Sequence, residues 1–414
     1  MSDTPGRARL GRAYWRLWTA SAISNTGDGV LIAALPLLAA SVTTDRISIG
    51  LVSTAFTVPW LLFALPAGAV VDRSDRRRVL VITDVCRALL VGAVAVVAAV
   101  ADVQIWMLWL LSLGLGIGEV FFDSTSQALV PSLVAPDHLE RANGLRWSAE
   151  IAGNSFVGTS MGSILLGVAV WVPFGLDAAT FAVAAALAVS LRGALRVAPA
   201  AETERPPSTW RADIREGMRW LWSHTLMRNL AIAIAISNLA FAACESTFVL
   251  FATERLGVSD DMFGPLIAVV AAGSIGAGLV AGSLVQRMGR RFTVLFVSLA
   301  PAVTMLAIGT LPITWWVIAM TTAQAALITI FSVVTVSLRQ QAVPAHLFGR
   351  VNGVFRWFSW GAMPIGAFVG GVVADVFGLR APYFAGAILM VAAWSLIVLT
   401  VTPRRIDEAI AAAA

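Results

Sequence analysis

The sequence predicts an all-α integral membrane protein with twelve transmembrane helices arranged as two pseudo-symmetric six-helix bundles. Apolar residues make up 58% of the 414 positions and charged residues only 13%, a balance that a water-exposed surface does not tolerate at this length. Apolar segments near the roughly 20 residues that cross a bilayer recur along the whole chain. Two sequence patterns from the first half also return in the second half, which indicates a duplicated six-helix unit.

The first half contains six apolar segments separated by polar or arginine-containing loops. We predict that they span the membrane at residues 17–40, 49–71, 79–100, 105–129, 143–170 and 173–191. The basic stretch RARLGRAYWRLW has the charge of a signal peptide, but the apolar run after it continues without a convincing cleavage site. We therefore expect the first segment to remain as a helix, and residues 1–192 to form the N-terminal bundle.

The second half repeats this arrangement, and residues 229–414 are predicted to form the C-terminal bundle. Its predicted spans are residues 230–252, 263–285, 292–311, 314–336, 351–376 and 382–401. Residues 193–228 between the bundles begin as a proline-rich polar linker and then place Met218, Leu221 and Trp222 on one helical face. This pattern predicts an amphipathic helix along the cytoplasmic membrane surface.

The arginine distribution predicts the orientation of the spans. All 29 basic residues are arginines, and most fall on one side of the predicted topology. That side contains the N-terminus, residues 73–78, 141, 205–219, 287–291 and 350, and the tail at 404–405. The other side has Arg46, Arg255 and Arg380. By the positive-inside rule both termini are cytoplasmic, so the charge of +5 reflects membrane topology rather than nucleic acid binding.

Several classes of enzyme are excluded by residues that the sequence lacks. No lysine occurs, which excludes a Walker A loop and a lysine Schiff base. Cys86 and Cys244 lie inside apolar segments, which fits neither a disulfide framework nor a CxxC metal site. No HExxH motif occurs, and the histidines fall in predicted cytoplasmic segments. We therefore predict a protein that is not an enzyme and that holds no metal or cofactor.

Two pairs of similar segments occupy equivalent places in the two halves. LERANGLRWSAEIAGNSFVGTSMGSIL, at the fifth predicted helix, is similar to FGRVNGVFRWFSWGAMPIGAFVGGVV, at the eleventh, and Asn143 and Gly144 align with Asn352 and Gly353. GAVVDRSDRRR, after the second helix, is similar to GSLVQRMGRR, after the eighth. Duplication of a six-helix unit explains both pairs.

The segment GAVVDRSDRRR resembles the GxxxDRxGRR signature of the major facilitator superfamily, with Asp75 in place of a glycine and Gln286 in place of the second copy's aspartate. SNTGDG, ITDVCRALL, QALVPSLV and FGPLIAVVAAGSIGAGL resemble its enterobactin-exporter and macrolide-efflux branch. The resemblance implies a secondary transporter that exports a small organic molecule by alternating access, driven by a proton gradient. It also implies a monomer in the bacterial cytoplasmic (inner) membrane.

The resemblance implies a gating role for the loop after the second helix, which in this family holds the two halves in the outward-open state. An aspartate within an arginine cluster adds nothing to a topology signal, which favours gating by Asp72 and Arg73. The alternative is that the cluster only directs topology. The predicted gating residues in the two copies are Gly68, Asp72, Arg73, Arg76, Arg77, Gly282, Arg287 and Arg290.

Ionisable side chains within the spans are costly and are therefore candidates for function. The proton-coupling candidates are Asp28, Glu119, Asp123 and Glu150. Glu119 and Asp123 are four residues apart, so they share one helix face and are expected to share protons. The alternative is that one of them pairs with Arg87 or Arg146 across the bundle.

Two further acids have equally open interpretations. Asp28 lies between two glycines in SNTGDG, where another helix or a ligand approaches closely, so it either binds substrate or protons or hydrogen-bonds a neighbouring backbone. Glu150 follows Arg146 by one helical turn, and an ion pair within the helix is the alternative to proton coupling.

Aromatic and polar side chains near these acids predict a central cavity for a bulky amphipathic molecule. The candidates are Asn25, Trp147, Asn154, Phe156, Phe241, Glu245, Trp357 and Trp360. For each aromatic residue alone, packing or contact with lipid is the alternative. Glu245 has no charged partner within one turn, which favours contact with a cationic substrate.

Three other functions remain open for the same pattern. An importer or a facilitator of the same fold remains open, because no feature of the sequence determines the direction of transport. A non-transporting membrane sensor or a lipid scramblase would contain similar charges within its bundles. Proton-dependent substrate flux distinguishes the sensor and the scramblase from a proton-coupled transporter.

Overall fold

The computed structural model describes residues 10–191, 210–258 and 260–413. The secondary structure of these residues is helical, and twelve helices are long and apolar enough to cross a membrane. This confirms the predicted fold class and the predicted number of spans. The basic N-terminal residues before Leu10 and the proline-rich part of the predicted linker lie outside the described residues.

Six spans form the first bundle. They are α1 (Arg12–Val42), α2 (Arg46–Arg73), α3 (Arg76–Val100), α4 (Ile105–Leu133), α5 (Pro136–Val168) and α6 (Trp171–Val189). α5 changes to π-helical geometry at Ala152–Gly158, where it packs against α1. Several helices are longer than the predicted spans, because the prediction followed apolar composition and helical hydrogen bonding continues into the polar residues beside it.

The second bundle follows a connecting helix, α7 (Trp210–Ser223). Its spans are α8 (Thr225–Arg255), α9 (Asp260–Met288), α10 (Arg290–Thr310), α11 (Thr314–Ala342), α12 (Phe348–Phe377) and α13 (Ala381–Thr400). A short helix, α14 (Pro403–Ala413), completes the described chain. The two bundles meet mainly where α2 packs on α12 and α5 packs on α9.

Aspartates begin two of the helices in the first bundle. Asp45 accepts hydrogen bonds from the backbone amides of Ile47 at 3.3 Å and Ser48 at 3.1 Å. Asp75 accepts them from the amides of Arg77 and Arg78 at the start of α3. A side-chain cap of this kind stabilises a helix by about 1 kcal/mol. Asp75, which departs from the signature's glycine, therefore serves as the N-cap of α3.

One face of the molecule contains the start of α1, the loop between α2 and α3, the connection that precedes α8, and α14. We call it the arginine-rich face, and the other is the opposite face. α7 packs on this face against α2, α8 and α12. Of the residues predicted to form its apolar side, Leu221 is fully buried, whereas Trp222 stacks on Phe358 with ring centroids 5.6 Å apart. α7 is therefore a packed part of the protein rather than a helix that contacts only the membrane surface.

Candidate functional site

A central cavity of about 290 Å³ lies between the bundles. α4 and α5 of the first bundle and five helices of the second bundle form its walls. Three of the predicted aromatic candidates, Trp147, Phe241 and Trp360, line it, and so do the predicted acids Asp123 and Glu150. The cavity therefore combines apolar walls with charged groups, as is typical of binding sites for organic molecules.

The other predicted cavity residues lie elsewhere. Asn25 is buried within α1, and Asn154 lies in the π-helical part of α5. Phe156 is 45% exposed at the surface, and Trp357 packs edge-on against Phe358. We predicted these residues at the cavity because they are close to an acid in the sequence. A side chain reaches the cavity only if it leaves its helix on the side that faces it, and these four are not part of the lining.

Glu245 lines a second cavity of about 290 Å³ between α8, α9 and α11. This cavity also contacts Phe241 and Tyr383, and its walls are otherwise mostly apolar. Glu245 lies five residues before Leu250, where the regular α-helical part of α8 ends. It is therefore in the part of α8 that is closer to the opposite face. The structure therefore places the predicted cation contact outside the central cavity.

The floor of the central cavity contains an ion pair between the bundles. Asp123 of α4 accepts a hydrogen bond from Nη1 of Arg146 in α5 at 2.7 Å. Its other carboxylate oxygen pairs with Arg356 of α12, in the second bundle. The Arg356 guanidinium also lies 4.0 Å from the ring centroid of Trp60 in α2. Arg356 therefore binds the first bundle through both charge and aromatic contact.

The two acids expected to share protons instead face different arginines. Nη2 of Arg87 donates to Oε2 of Glu119 at 2.5 Å, whereas Asp123 binds Arg146 and Arg356. The carboxylates of Glu119 and Asp123 therefore form no pair with each other in this structure. Each is stabilised by a guanidinium because an opposite charge within the low-dielectric interior favours an ionised carboxylate more than a second acid does.

Arg87 is surrounded by acids from four helices of the first bundle. Besides Glu119, Asp28 of α1 lies 3.8 Å from its Nη1 atom. Asp84 and Asp177 interact electrostatically with the same guanidinium. These five residues, which we call the Arg87 cluster, thus combine four carboxyl groups with one guanidinium at membrane depth. Buried acids in such an excess are typical of groups that bind and release protons.

Asp84 was not among the residues predicted from the sequence. It is fully buried, and neither carboxylate oxygen has a hydrogen-bond partner among the described residues. The available signal was its position in ITDVCRALL, one helical turn before Arg87. An acid one turn from an arginine within an apolar segment indicates a buried charge cluster.

Glu150 lines the central cavity and does not form the ion pair with Arg146 that was the alternative to proton coupling. No ion pair between Glu150 and Arg146 is formed in the described part of the chain, because the Arg146 guanidinium is directed to Asp123 instead. Spacing along one helix could not reveal this competition, since Asp123 belongs to a different helix. Glu150 therefore presents its carboxyl group to the cavity.

Two asparagines that align in the sequence repeat connect the bundles. Asn143 of α5 donates to Ser337 at 2.8 Å and to Gln340 at 2.7 Å, both in α11. Asn352 of α12 donates to Gln127 of α4 at 3.2 Å. Each asparagine therefore reaches from its own bundle into the other. The repeat indicated equivalent positions, but not the side chains that they contact.

The bundles also meet at the arginine-rich face through Asp72, at the end of α2. Its carboxylate accepts hydrogen bonds from the backbone amides of Gly349 at 2.7 Å and Arg350 at 2.9 Å. These amides belong to the first turn of α12, where unpaired N–H groups and the helix dipole favour a negative charge. Gly68 lies one turn earlier in α2, and a Cβ there would be 2.1 Å from the carbonyl oxygen of Gly349.

The arginines after Asp72 contact three different parts of the protein. Arg73 pairs with Asp213 of α7, and Arg350 of α12 pairs with the same aspartate at 3.2 Å. Arg76 donates to the carbonyl of Ala128 at 2.8 Å and reaches that of Ala345 in the second bundle at 3.5 Å. The connecting helix therefore joins arginines of both bundles through one buried carboxylate.

The remaining predicted gating residues differ in their positions. Arg77 donates to the carbonyl of Val189 at 2.7 Å, at the end of α6 in its own bundle. Arg287 is exposed. Arg290 pairs across the bundles with Glu140 and donates to Gln341 at 2.9 Å. The second copy of the motif therefore connects the bundles through an ion pair.

Small residues bring the second pair of helices equally close. A Cβ on Gly144 of α5 would lie 2.2 Å from the carbonyl oxygen of Gly278 in α9. A Cβ on Gly282, the predicted gating glycine of the second copy, would lie 3.0 Å from the backbone of Arg141. Together with the Asp72 contact, these approaches close the cavity toward the arginine-rich face.

Comparison with known proteins identifies a family. The family model described as Major Facilitator Superfamily matches residues 17–363 and 246–413. The chain is 28% identical over 383 residues to the multidrug efflux pump Tap of Mycolicibacterium fortuitum, covering 88% of this chain and 90% of the relative. It is 21% identical over 378 residues to macrolide efflux protein A of Streptococcus pyogenes, covering 89% and 90%.

Solved structures share the same fold at lower identity. A bacterial homologue of the iron transporter ferroportin, in an outward-facing state, has a TM-score of 0.75 at 16% identity and covers 94% of this chain and 99% of that one. The transporter FucP, in the outward conformation, has a TM-score of 0.77 at 13% identity and covers 94% and 100%. These matches confirm the predicted fold, and the family-model match confirms the family resemblance predicted from the sequence motifs.

Proposed function

The chain belongs to the major facilitator superfamily of membrane transporters, and from this premise we propose that it exports a small organic molecule by proton-coupled alternating access. The proposal for export rests on the relatives, which are named as efflux pumps and align over about nine-tenths of their lengths. The observation that carries the mechanism is the central cavity, which lies between two bundles and is closed at one face by contacts that join them.

The proposed orientation places the arginine-rich face in the cytoplasm of a bacterium, in agreement with the positive-inside rule. The Asp72 contact then closes the cytoplasmic side of the cavity, and the structure corresponds to an outward-facing state. Export requires the reverse state, in which α2 separates from α12 and α5 from α9 so that substrate enters from the cytoplasm. A single chain supplies both bundles and the cavity, which supports a monomer as the transporting unit.

The proposed site of proton coupling is the Arg87 cluster. Asp28, Asp84, Glu119 and Asp177 cannot all be balanced by one guanidinium, so the cluster has a capacity for protons that depends on its exposure to each side. Glu119 is four residues from Asp123, which pairs with Arg356 of the second bundle. α4 therefore connects the proposed proton site directly to the contact between the bundles.

Transport into inverted membrane vesicles tests the proposal. We would measure the accumulation of fluorescent drugs, macrolides and catecholate siderophores with and without a proton uncoupler, for the wild-type protein and for Asp28→Asn and Glu119→Gln. Asp102→Asn, in an exposed loop, is the control. We expect uncoupler-sensitive accumulation that the two cluster variants lose and the control keeps. Accumulation that is insensitive to the uncoupler would contradict proton coupling. If no compound accumulates, the export assignment is wrong.

A further inference from the structure

The floor of the central cavity contains an excess of positive charge. Arg146, Arg339 and Arg356 line the cavity, whereas Asp123 and Glu150 are the acids of its lining. The three arginines are each more than nine-tenths buried, since their exposed fractions are 6%, 8% and 8%. Asp123 neutralises only one positive charge although it contacts two of the arginines. The described lining therefore retains at least one positive charge that no acid balances.

Arg339 is the arginine of this group that has no carboxylate partner. Its Nη1 atom donates to Oδ1 of Asn352 at 2.9 Å, and its guanidinium lies 4.7 Å from the ring centroid of Phe355. None of the ion pairs in the described part of the chain involves it. A buried charge that is paired only with an amide and an aromatic ring is costly, because neither partner replaces the water that a guanidinium loses.

Unused hydrogen-bond donors point to the same place. The Nε atoms of Arg146, Arg339 and Arg356 are all buried without a hydrogen-bond partner among the described residues. Three such donors at one cavity floor are unusual, since buried polar groups are normally satisfied. Guanidiniums bind carboxylates, sulfonates and phosphates through paired N–H donors, so this floor has the chemistry of an anion site.

We propose that the central cavity binds its substrate through an anionic group, which lies on the cavity floor against Arg339. This inference rests on the proposed function, because it assigns a substrate class to the transporter's central site. The other walls favour an aromatic or apolar body for the same molecule, since Phe241, Phe331 and Trp360 line the cavity above the floor. The substrate class is therefore an amphipathic organic anion or a zwitterion.

The charge of the floor also explains how such a substrate is taken up from the arginine-rich face. Arg339 lies three residues from the end of α11 at the arginine-rich face, so separation of the bundles exposes it first to that face. An anion that arrives there replaces the missing counter-charge. In a cell that is negative inside, the membrane potential favours outward movement of the anion.

A matched pair of fluorescent probes tests the inference. 8-Anilinonaphthalene-1-sulfonate carries a sulfonate that N-phenyl-1-naphthylamine lacks, although the aromatic skeletons are the same. Binding of each probe to the protein in nanodiscs of phosphatidylcholine would be measured by energy transfer from tryptophan, with empty nanodiscs as background. Because this lipid has no net charge, an anionic lipid headgroup does not compete; adding phosphatidylglycerol in a separate titration shows whether lipid occupies the same site.

We expect Arg339→Gln to weaken sulfonate binding about tenfold to hundredfold, the effect of losing a charged hydrogen-bond partner, and to leave the neutral probe unchanged. Arg339→Lys should recover part of the affinity. Arg404→Gln, which removes an exposed arginine at 87% side-chain exposure, should bind both probes as the wild type does. Equal wild-type affinity for both probes, or equal losses of both probes in Arg339→Gln, would overturn the inference.

A measurement on the wild-type protein keeps the test independent of how Arg339→Gln folds. 1-Naphthoate should displace the bound sulfonate probe, whereas the neutral 1-naphthalenemethanol should not; equal displacement contradicts an anion site. The outcome is also separable from that of the proposed function. If anions bind in a way that depends on Arg339 but no compound is exported, this inference stands and the export assignment is wrong. If only cations are exported, with uncoupler sensitivity and without a change in Arg339→Gln, the export assignment stands and this inference is wrong.

Discussion

The carboxylate of Asp72 in the first bundle accepts a hydrogen bond of 2.7 Å from the backbone amide of Gly349 in the second. The contact joins the end of one helix to the start of another, so it breaks whenever the bundles separate at the arginine-rich face. Asp72 also accepts from the amide of Arg350 at 2.9 Å. A side chain that satisfies two otherwise unpaired amides at a helix N-terminus stabilises the closed arrangement specifically.

Asp72→Asn should therefore favour separation of the bundles at the arginine-rich face. The asparagine keeps one acceptor oxygen but loses the negative charge and the second acceptor, a change of about 1–2 kcal/mol that shifts the population roughly 5- to 30-fold. Asp75→Asn is the matched control, because Asp75 caps α3 within its own bundle.

Distances between spin labels would measure this shift. Labels at the exposed residues Ser74 and Met288, in a protein with both native cysteines replaced by alanine, report the separation of the two motif loops. We expect longer distances in Asp72→Asn and a wild-type distribution in Asp75→Asn. A distribution in Asp72→Asn that matches the wild type means that the Asp72 contact does not stabilise the closed face.

Gly68→Ala should prevent the same face from closing. The added Cβ would be 2.1 Å from the carbonyl oxygen of Gly349, and a backbone atom in the first turn of a packed helix has little room to move. Gly50→Ala changes the same helix by the same methyl group at a position with nothing within 4 Å. We expect at least about a tenfold loss of transport in Gly68→Ala alone, since a contact of this kind costs more than 1.4 kcal/mol. Equal transport by both variants would show that the helices separate at this point without cost.

The fold was predictable because membrane spans depend on length and apolar composition, which are local properties. The repeat likewise located Asn143 and Asn352 at equivalent positions. What a span contacts depends instead on rotation about its axis, and no local pattern determines that rotation in a helix that is apolar on all sides. The absence of Phe156 from the cavity lining follows from this limit, whereas Arg339 was overlooked because the predicted span ended at residue 336, before it.

The partners of the buried charges were only partly predictable, for a related reason. Spacing within α5 left open a pair between Arg146 and Glu150, but Arg146 binds Asp123 of α4. Spacing within α4 favoured contact between Glu119 and Asp123, which instead bind different arginines. Competition among charges from several helices is decided by the tertiary arrangement, so the sequence offered Arg87 and Arg146 only as alternative partners of these acids and did not indicate the pair between Asp123 and Arg356.

Asp123→Asn should destabilise the protein more than a change at its surface does. Removing one partner of a buried ion pair typically costs about 3–5 kcal/mol, and here it leaves both Arg146 and Arg356 without a carboxylate. Thermal unfolding followed by tryptophan fluorescence would show a lower Tm. Glu408→Gln is the control, because its pair with Arg404 is exposed and lies within one helix.

A second substitution separates the pair from the rest of the site. In Asp123→Asn/Arg356→Gln one of the unpaired charges is also removed, so the double variant should unfold at a higher temperature than the sum of the single effects predicts. Double-variant cycles of contacting residues usually give coupling of about 0.5–3 kcal/mol. Additive effects would mean that Asp123 and Arg356 do not stabilise each other across the bundles.

Within the Arg87 cluster, Glu119→Gln and Asp84→Asn should have different consequences although both replace a carboxyl group of the cluster by its amide. Glu119 accepts a hydrogen bond from Arg87 at 2.5 Å, so its amide removes the closest counter-charge of a fully enclosed guanidinium. Neither oxygen of Asp84 accepts a hydrogen bond from the described residues, so its amide breaks no such contact. We expect Glu119→Gln to lose uncoupler-sensitive accumulation in inverted vesicles and to retain exchange of labelled for unlabelled substrate, because the cavity is intact. Asp84→Asn should retain both activities.

Loss of coupled transport in Asp84→Asn with a normal Glu119→Gln would instead identify Asp84, the acid without a hydrogen-bond partner among the described residues, as the proton carrier. The coupling step would then belong to α3 rather than to α4.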